Sequence, residues 1–268
     1  MFFKLIRKWM FSPISEIRLF RNFIRQDFIS QFSSSMFGFL WLFLTPIAHI
    51  IIYSFVFSYI FQLRSLPEFG ETQFIIFMMI GYLPWIAFAE AISKSPNLLL
   101  EKAPLITKVM FPVQLLPIVG TVIPYLTHVI GFGLLLIYLA IQGYVSILWL
   151  LLPIIFFLQF LFTMGIVALL SAFCVFLRDL QQVVALLVMI WFFLTPIIYP
   201  ISLIESEAVR NLFLLNPMHS FVSLYRDILL LESFSVVNLQ IIIPVSLFSY
   251  VLGGWLFMRI KHAFGDVL

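Results

Sequence analysis

From Ile147 to Phe176 the chain carries no charged side chain; Arg178 and Asp179 then interrupt it, and a second apolar stretch runs from Val183 to Ile198 before stopping at Tyr199 and Pro200. In a bilayer whose hydrocarbon core is roughly 30 Å thick, backbone N–H and C=O groups must find partners inside the chain, so such runs cross as helices. The charged pair therefore belongs at a membrane surface, where it turns the chain back. Within the second run Trp191, Thr195 and Tyr199 recur every four residues and share one helical face. Lipid gains nothing from the hydroxyl, which directs that face towards protein or a channel. The other reading is an interfacial Trp and Tyr with the Thr hydroxyl bonded to its own backbone.

The rest of the sequence agrees with a membrane solvent. Hydrophobic residues make up 63% and charged residues 10% of the chain, against about a quarter charged in soluble domains. A polytopic membrane protein is expected. The single cysteine, Cys174, lies in an apolar segment, which excludes an intramolecular disulfide and a cysteine-based metal site and leaves core packing. The opening Met-Phe-Phe-Lys runs into polar and basic sequence up to about Phe32, so no cleaved signal peptide is expected.

Taken in order, residues 12–30 predict an amphipathic helix. Ile14, Ile17, Phe20, Ile24 and Phe28 line one side while Arg18, Asn22 and Arg25 take the other, with Pro13 in the first turn. This suits a helix lying in the membrane surface; the alternative, packing on a soluble core, has no such core available. Six spans are predicted at 37–61, 73–93, 112–141, 147–176, 183–199 and 236–258. The first carries Gly38, Trp41, Thr45 and His49 on one stripe, and the third carries Thr121, Tyr125 and His128 on one face. Gly81 and Pro84 interrupt the second, and Glu90 near its end is in reach of Lys94 as a helix-end ion pair. A polar connector covers 96–111. Between 201 and 235 the apolar pieces are too short to cross, which predicts two short re-entrant helices broken at Asn216-Pro217, or else amphipathic helices lying flat. The fold class is thus an all-α integral membrane protein in a single domain, 1–268.

Orientation follows from the basic residues. With the N-terminus inside, Lys4, Arg7, Lys8, Arg18, Arg21, Arg25, Lys94, Lys102, Lys108, Arg178, Arg259 and Lys261 fall inside, and Arg64, Arg210 and Arg226 outside. Both termini, the 96–111 connector and the Arg178 turn are then cytosolic.

Catalytic patterns are missing from the sequence. There is no phosphate-binding Gly-x-x-x-x-Gly-Lys loop, no dinucleotide turn and no helix with paired histidines. His49, His128, His219 and His262 fall in four different elements with no ligand spacing, and no acidic pair sits at mid-membrane to carry a coupling ion. A membrane-embedded glycosyl or phosphotransferase and a proton-driven carrier are both disfavoured.

Several motifs instead resemble one family in the right order along nearly the whole chain. They are Arg25-Gln26-Asp27; Phe37-Gly38 with Trp41 and Pro46; Lys108-Val-Met-Phe-Pro112 with Leu116-Pro117; Phe176-Leu-Arg-Asp179; Trp191-Phe-Phe-Leu-Thr-Pro-Ile-Ile-Tyr-Pro200; and Leu215-Asn-Pro-Met218 followed by Tyr225-Arg226. Together they resemble the ABC-2 type permeases, the membrane subunits of bacterial polysaccharide ABC exporters that move O-antigen, capsule or teichoic acid chains. The chain departs from the family pattern at Gln31-Phe-Ser33, where relatives usually carry basic residues and a tyrosine, and at Val113-Gln114 in place of Arg-Glu.

The resemblance implies six spans, a homodimer, and two copies of a separate cytosolic ABC ATPase, with ATP and Mg on that partner and no cofactor in this chain. It also implies a bacterial inner-membrane location, a polyprenyl-pyrophosphate-linked glycan as substrate, and no nucleic-acid partner. The channel is expected between the copies, walled mainly by the first and fifth spans. Its lining candidates are Trp41, Thr45, His49, Trp191, Phe192, Thr195 and Tyr199. ATPase contacts are expected at Arg18, Arg21, Arg25, Glu101, Lys102, Arg178 and Asp179, and contacts to the anionic lipid headgroup at Arg25 and Lys108. Capsule or teichoic acid export, and drug or lipid efflux, are the alternatives within the same architecture.

Overall fold

The structure, a computed structural model, describes residues 2–33, 35–62, 74–108 and 111–268. Among these residues there are helices and turns and no strands. In chain order the helices are α1 (Phe2–Ser15), α2 (Ile17–Ser33), α3 (Trp41–Ser54), α4 (Phe74–Lys94), α5 (Ala103–Lys108) and α6 (Leu115–Ile141). They continue with α7 (Leu152–Cys174), α8 (Leu180–Phe193), α9 (Glu207–Leu214), α10 (Pro217–Leu230), α11 (Val236–Ile260) and α12 (Phe264–Val267). Residues 63–72 of the expected outer loop, including Arg64, and Val109-Met110 of the connector lie outside the described residues.

Among the described residues five helical stretches are long and apolar enough to cross a membrane: Gly38–Phe57, Phe74–Asn97, Leu115–Ile141, Ile147–Cys174 and Val236–Val267. The remaining expected span, 183–199, is a shorter helix: α8 begins at Leu180 and ends at Phe193. Pro196 explains the early stop, because it supplies no N–H and biases the residue before it away from helix. Tyr199 therefore does not continue the helical face of Trp191 as the four-residue spacing suggested. The expected surface helix also differs. It is two helices broken at Glu16, and Pro13 lies in the last turn of α1 rather than the first turn of the next helix.

The bundle is built around α4. Of its most apolar stretch 78% is buried, against 11% for the span that begins at Gly38. Pro84 leaves the helix's hydrogen-bond ladder incomplete, and nearby the Gln159 side chain of α7 donates to the Pro84 carbonyl at 2.8 Å and accepts from the Tyr225 hydroxyl of α10 at 3.0 Å. The Tyr125 hydroxyl meets Thr163 at 2.7 Å, and Thr163 donates back to the Gln159 carbonyl. The polar face foreseen on the third span thus points inward, tying α6, α7 and α10 to α4.

Among the described helices α7 and α11 share the most extensive pairing. Gly165 and Gly253 bring the two backbones into contact, and Ser249, one turn before Gly253, donates to the Phe162 carbonyl at 2.8 Å. Small residues one turn apart are what membrane helices use to approach, since lipid supplies no hydrophobic drive for their association. At the next residue, Trp9 of α1 rests on Gly254, flanked by Tyr250 and Phe257.

The elements rich in basic residues gather at one end. Lys102 pairs with Asp27 at 3.0 Å, Lys261 donates to Gln114 at 3.1 Å, and Phe23 and Phe176 meet Phe111 and Phe264. At the opposite end α10 is deeply buried, whereas α9 buries no residue.

A methyl group at Gly253 would run into the backbone of Gly165, which cannot rotate aside as a side chain can. Gly253→Ala is expected to destabilise by on the order of 3 kcal/mol and to lower the melting temperature of the purified chain. Gly133→Ala, whose added carbon meets nothing within 4 Å, is the matched control and leaves melting unchanged or slightly raised.

Candidate functional site

The densest motif of the sequence forms an elbow where α8 ends. Asn216 sits in extended conformation at the break between α9 and α10 and caps α10, its side-chain oxygen accepting from the Met218 N–H at 3.0 Å. The same oxygen accepts from Trp191 Nε1 at 2.8 Å. Its amide nitrogen donates to the Leu194 carbonyl and to Thr195 Oγ1, both at 2.9 Å. Both lone pairs and both N–H groups are used, so this one side chain fixes the α8 exit to the α9–α10 break. Thr195, fully buried, also donates to the Trp191 carbonyl, and the Tyr199 hydroxyl bonds the Phe193 carbonyl.

Arg226 of α10 completes the elbow from beneath. It is only 6% exposed. Nη1 donates to the Pro196 carbonyl at 2.7 Å, Nη2 to the Ile197 carbonyl at 2.8 Å, and Nε to the Phe77 carbonyl of α4 at 3.3 Å. The guanidinium carbon also lies 3.5 Å above the Phe77 ring, a cation–π contact that gains strength where water is excluded. Burial pushes the guanidinium down to about 9 and the Asp227 carboxyl up to about 6, each moderated by the charge of the other. Sequence reading counted Arg226 as an outer-loop charge; the structure buries it in the bundle.

The other lining candidates fall at several levels. Trp41 is exposed, donating Nε1 to Ser35 at 2.7 Å and meeting the Phe37 ring edge-on. Thr45 and His49 are half-buried, with His49 between the Tyr53 and Tyr82 rings. Phe192 is half-buried against Trp85, and Phe193 beside it is exposed. Only Val184 of α8 is buried. Along α8, an apolar groove of about 660 Å³ runs from Ile92 and Leu170 to Leu212 and Asn216.

At the basic end Arg18, Arg21, Arg25, Glu101, Lys108, Arg178 and Asp179 are exposed, while Lys102 is half-buried in its pair with Asp27. Glu90 holds Lys94 and, on its other oxygen, His128 of α6. The Glu90–Lys94 pair is the one read from the sequence. The partners of His128, Asp27 and Asn216 are not legible there, although an Asn before a Pro at the start of a helical pattern is a capping signal. Among the described residues no group of His, Cys, Asp or Glu is arranged to hold a metal ion, and Cys174 is buried and unpaired.

Residues 18–230 match the family model described as ABC-2 type transporter. A protein of Myxococcus xanthus named O-antigen export system permease protein RfbA is 33% identical over 213 residues, covering 77% of this chain and 78% of that protein. A Klebsiella pneumoniae protein of the same name is 26% identical over 245 residues, covering 91% of this chain and 92% of its own length.

Asn216→Ala removes a cap and strands the Trp191 N–H and the Leu194 carbonyl together. Each orphaned group costs about 1–3 kcal/mol, so a clear drop in melting temperature is expected. Asn216→Asp keeps the acceptor for Trp191 and Met218 but loses both donated bonds, and is expected to recover only part of the loss.

Proposed function

The chain belongs to the ABC-2 type transporter family, and on that premise we propose that it is the membrane-spanning subunit of an ATP-driven exporter of lipid-linked polysaccharide, O-antigen in the first instance. It works as a homodimer in the bacterial inner membrane with both termini in the cytosol. ATP and its Mg are bound and hydrolysed by two copies of a separate ATPase. The names carried by the relatives support the choice of O-antigen. The observation that carries the reading is the division of the bundle: the other four long apolar stretches are 39–78% buried, against 11% for the one that begins at Gly38, and α8 buries only Val184.

Two copies joined along α3 and α8 would enclose a passage walled by Trp41 and Phe193, with Thr45, His49, Phe192 and Tyr199 at its margins. Aromatic faces suit a sliding polymer, because they meet sugar rings through C–H contacts and offer no deep site to stall on. Trp191 and Thr195 act one step back, through Asn216, to hold α8 at the angle it needs. The basic end supplies the coupling surface. Arg18, Arg21 and Arg25 on α2, Glu101, and the Arg178–Asp179 turn are exposed together there, with Lys102 anchoring the connector to α2 through Asp27. Arg25 and Lys108 lie where anionic headgroups collect. Closure of the ATPase pair against this surface would drive the two halves apart.

The test is complementation. Expressed with the ATPase encoded beside it, the chain is expected to restore surface polysaccharide to a strain lacking its own export permease, and neither protein alone does so. Surface glycan from the permease alone, or ATP hydrolysis stimulated by drugs and not by lipid-linked glycan, would overturn the reading, the second in favour of efflux. Reversing Arg18, Arg21 and Arg25 to Glu is expected to abolish co-purification with the ATPase without lowering the melting temperature of the permease.

A further inference from the structure

The basic end has a hydrophobic core of its own. Apart from the cluster around α4, a second cluster buries Trp9 of α1, Leu99 of the connector, Val175 just after α7, Phe257 of α11 and Phe264 of α12. Phe20 and Phe23 of α2 and Ile106 of α5 pack against it, half-buried. The three places where ATPase contacts are expected, α2, the connector and the Arg178–Asp179 turn, are therefore joined from behind by one apolar cluster.

Phe264 is the side chain through which this cluster reaches the turn. It is fully buried. Its ring lies 5.4 Å from that of Phe257, edge-on, and 6.1 Å from that of Phe176, within the range of attractive ring contacts. Phe257 in turn meets Trp9 at 5.7 Å, so a row of rings runs from α1 through α11 and α12 to the turn, and α12 also touches α5. Phe176, Leu177, Arg178 and Asp179 are exposed, and α8 starts directly after them at Leu180 with only Val184 buried. The turn is gripped on its α7 side, by Val175 within the cluster and by the Phe176 ring against Phe264.

We propose that Phe264 is a positioning residue for energy transfer: it clamps the Arg178–Asp179 turn to the cluster that also holds α2 and the connector, so that a push on the basic end reaches α8 as one movement. The inference rests on the exporter reading above and names the part of the chain that transmits the stroke. An ATPase closing against this end delivers force to three separate stretches of chain. A close-packed apolar cluster has low compressibility and passes strain on, whereas a cavity in it lets each stretch yield by itself. Removing the Phe264 ring opens such a cavity, because the surrounding side chains collapse into it only in part. The surface residues that would meet the ATPase stay in place, so hydrolysis continues while less of its work arrives at α8.

The experiment measures surface polysaccharide in the complemented strain and ATP hydrolysis by the permease–ATPase complex purified from the same cells, both per assembled complex. Phe264→Ala is expected to keep hydrolysis within about twofold of wild type while export per ATP hydrolysed falls about fivefold or more. Phe264→Leu, which keeps apolar bulk in the cluster, is expected to recover most of the loss. Phe176→Ala removes the same contact from its exposed side, so it assembles even if Phe264→Ala does not. It is expected to show the same uncoupling, with the double variant no worse than either single one. Export and hydrolysis that fall together in Phe176→Ala overturn the proposal, since the ring is then only structural; so does a ratio that stays at the wild-type value, or losses that add in the double variant. A wild-type complex that exports no glycan sinks the exporter reading itself, whereas wild-type export with an unmoved ratio in the variants sinks the clamp alone.

Discussion

The structure depends on how one buried cation is satisfied. Arg226 has almost no contact with solvent and no carboxylate bonded to it, so its charge is met by three backbone carbonyls and the face of Phe77. Two of those carbonyls, from Pro196 and Ile197, lie where the Pro196 break has freed them from helix. In an apolar medium neither the cation nor the carbonyls could be left alone. The break in α8 and the charge in α10 therefore require each other. Because the third carbonyl belongs to α4, the same side chain fixes the broken segment to the most buried helix of the bundle.

Asn216 does for the other side of the elbow what Arg226 does beneath it. It joins the last turn of α8 to the start of α10 with four hydrogen bonds. The α9–α10 unit is thereby tied to the end of α8 by Asn216 and to the segment just after it by Arg226, although α9 itself buries nothing. A lever built this way moves as a piece, because displacing α8 would break these polar contacts together.

What was legible in the sequence were the features set by local spacing. Apolar runs gave the long helices, Asn216-Pro217 marked the break, Glu90 and Lys94 one turn apart gave their ion pair, and Thr121, Tyr125 and His128 gave a polar face that proved to point inward. What was not legible depends on pairs far apart in the chain: Asp27 with Lys102, Glu90 with His128, Trp191 with Asn216, Arg226 with Phe77. No periodicity encodes such partners. The four-residue spacing of Trp191, Thr195 and Tyr199 misled for a local reason, since Pro196 sits within it and the helix ends before Tyr199. The burial of Arg226 went unseen because a lone Arg beside an Asp in an amphipathic stretch looks the same in a loop and in a core.

The contrast between locked and loose surfaces follows from the membrane itself. Exposed apolar faces on α3 and α8 cost little in lipid, whose tails are as apolar as they are, so nothing compels those faces to stay paired with a partner. By contrast α7 and α11 are held by backbone contact at Gly165 and Gly253 and by the Ser249 hydrogen bond, and parting them leaves a buried donor without an acceptor. A bundle divided this way separates along its apolar faces before it separates anywhere else. In the two-copy conduit proposed above, that is the seam at which opening would be least costly, with the Arg226–Asn216 elbow holding the end of α8.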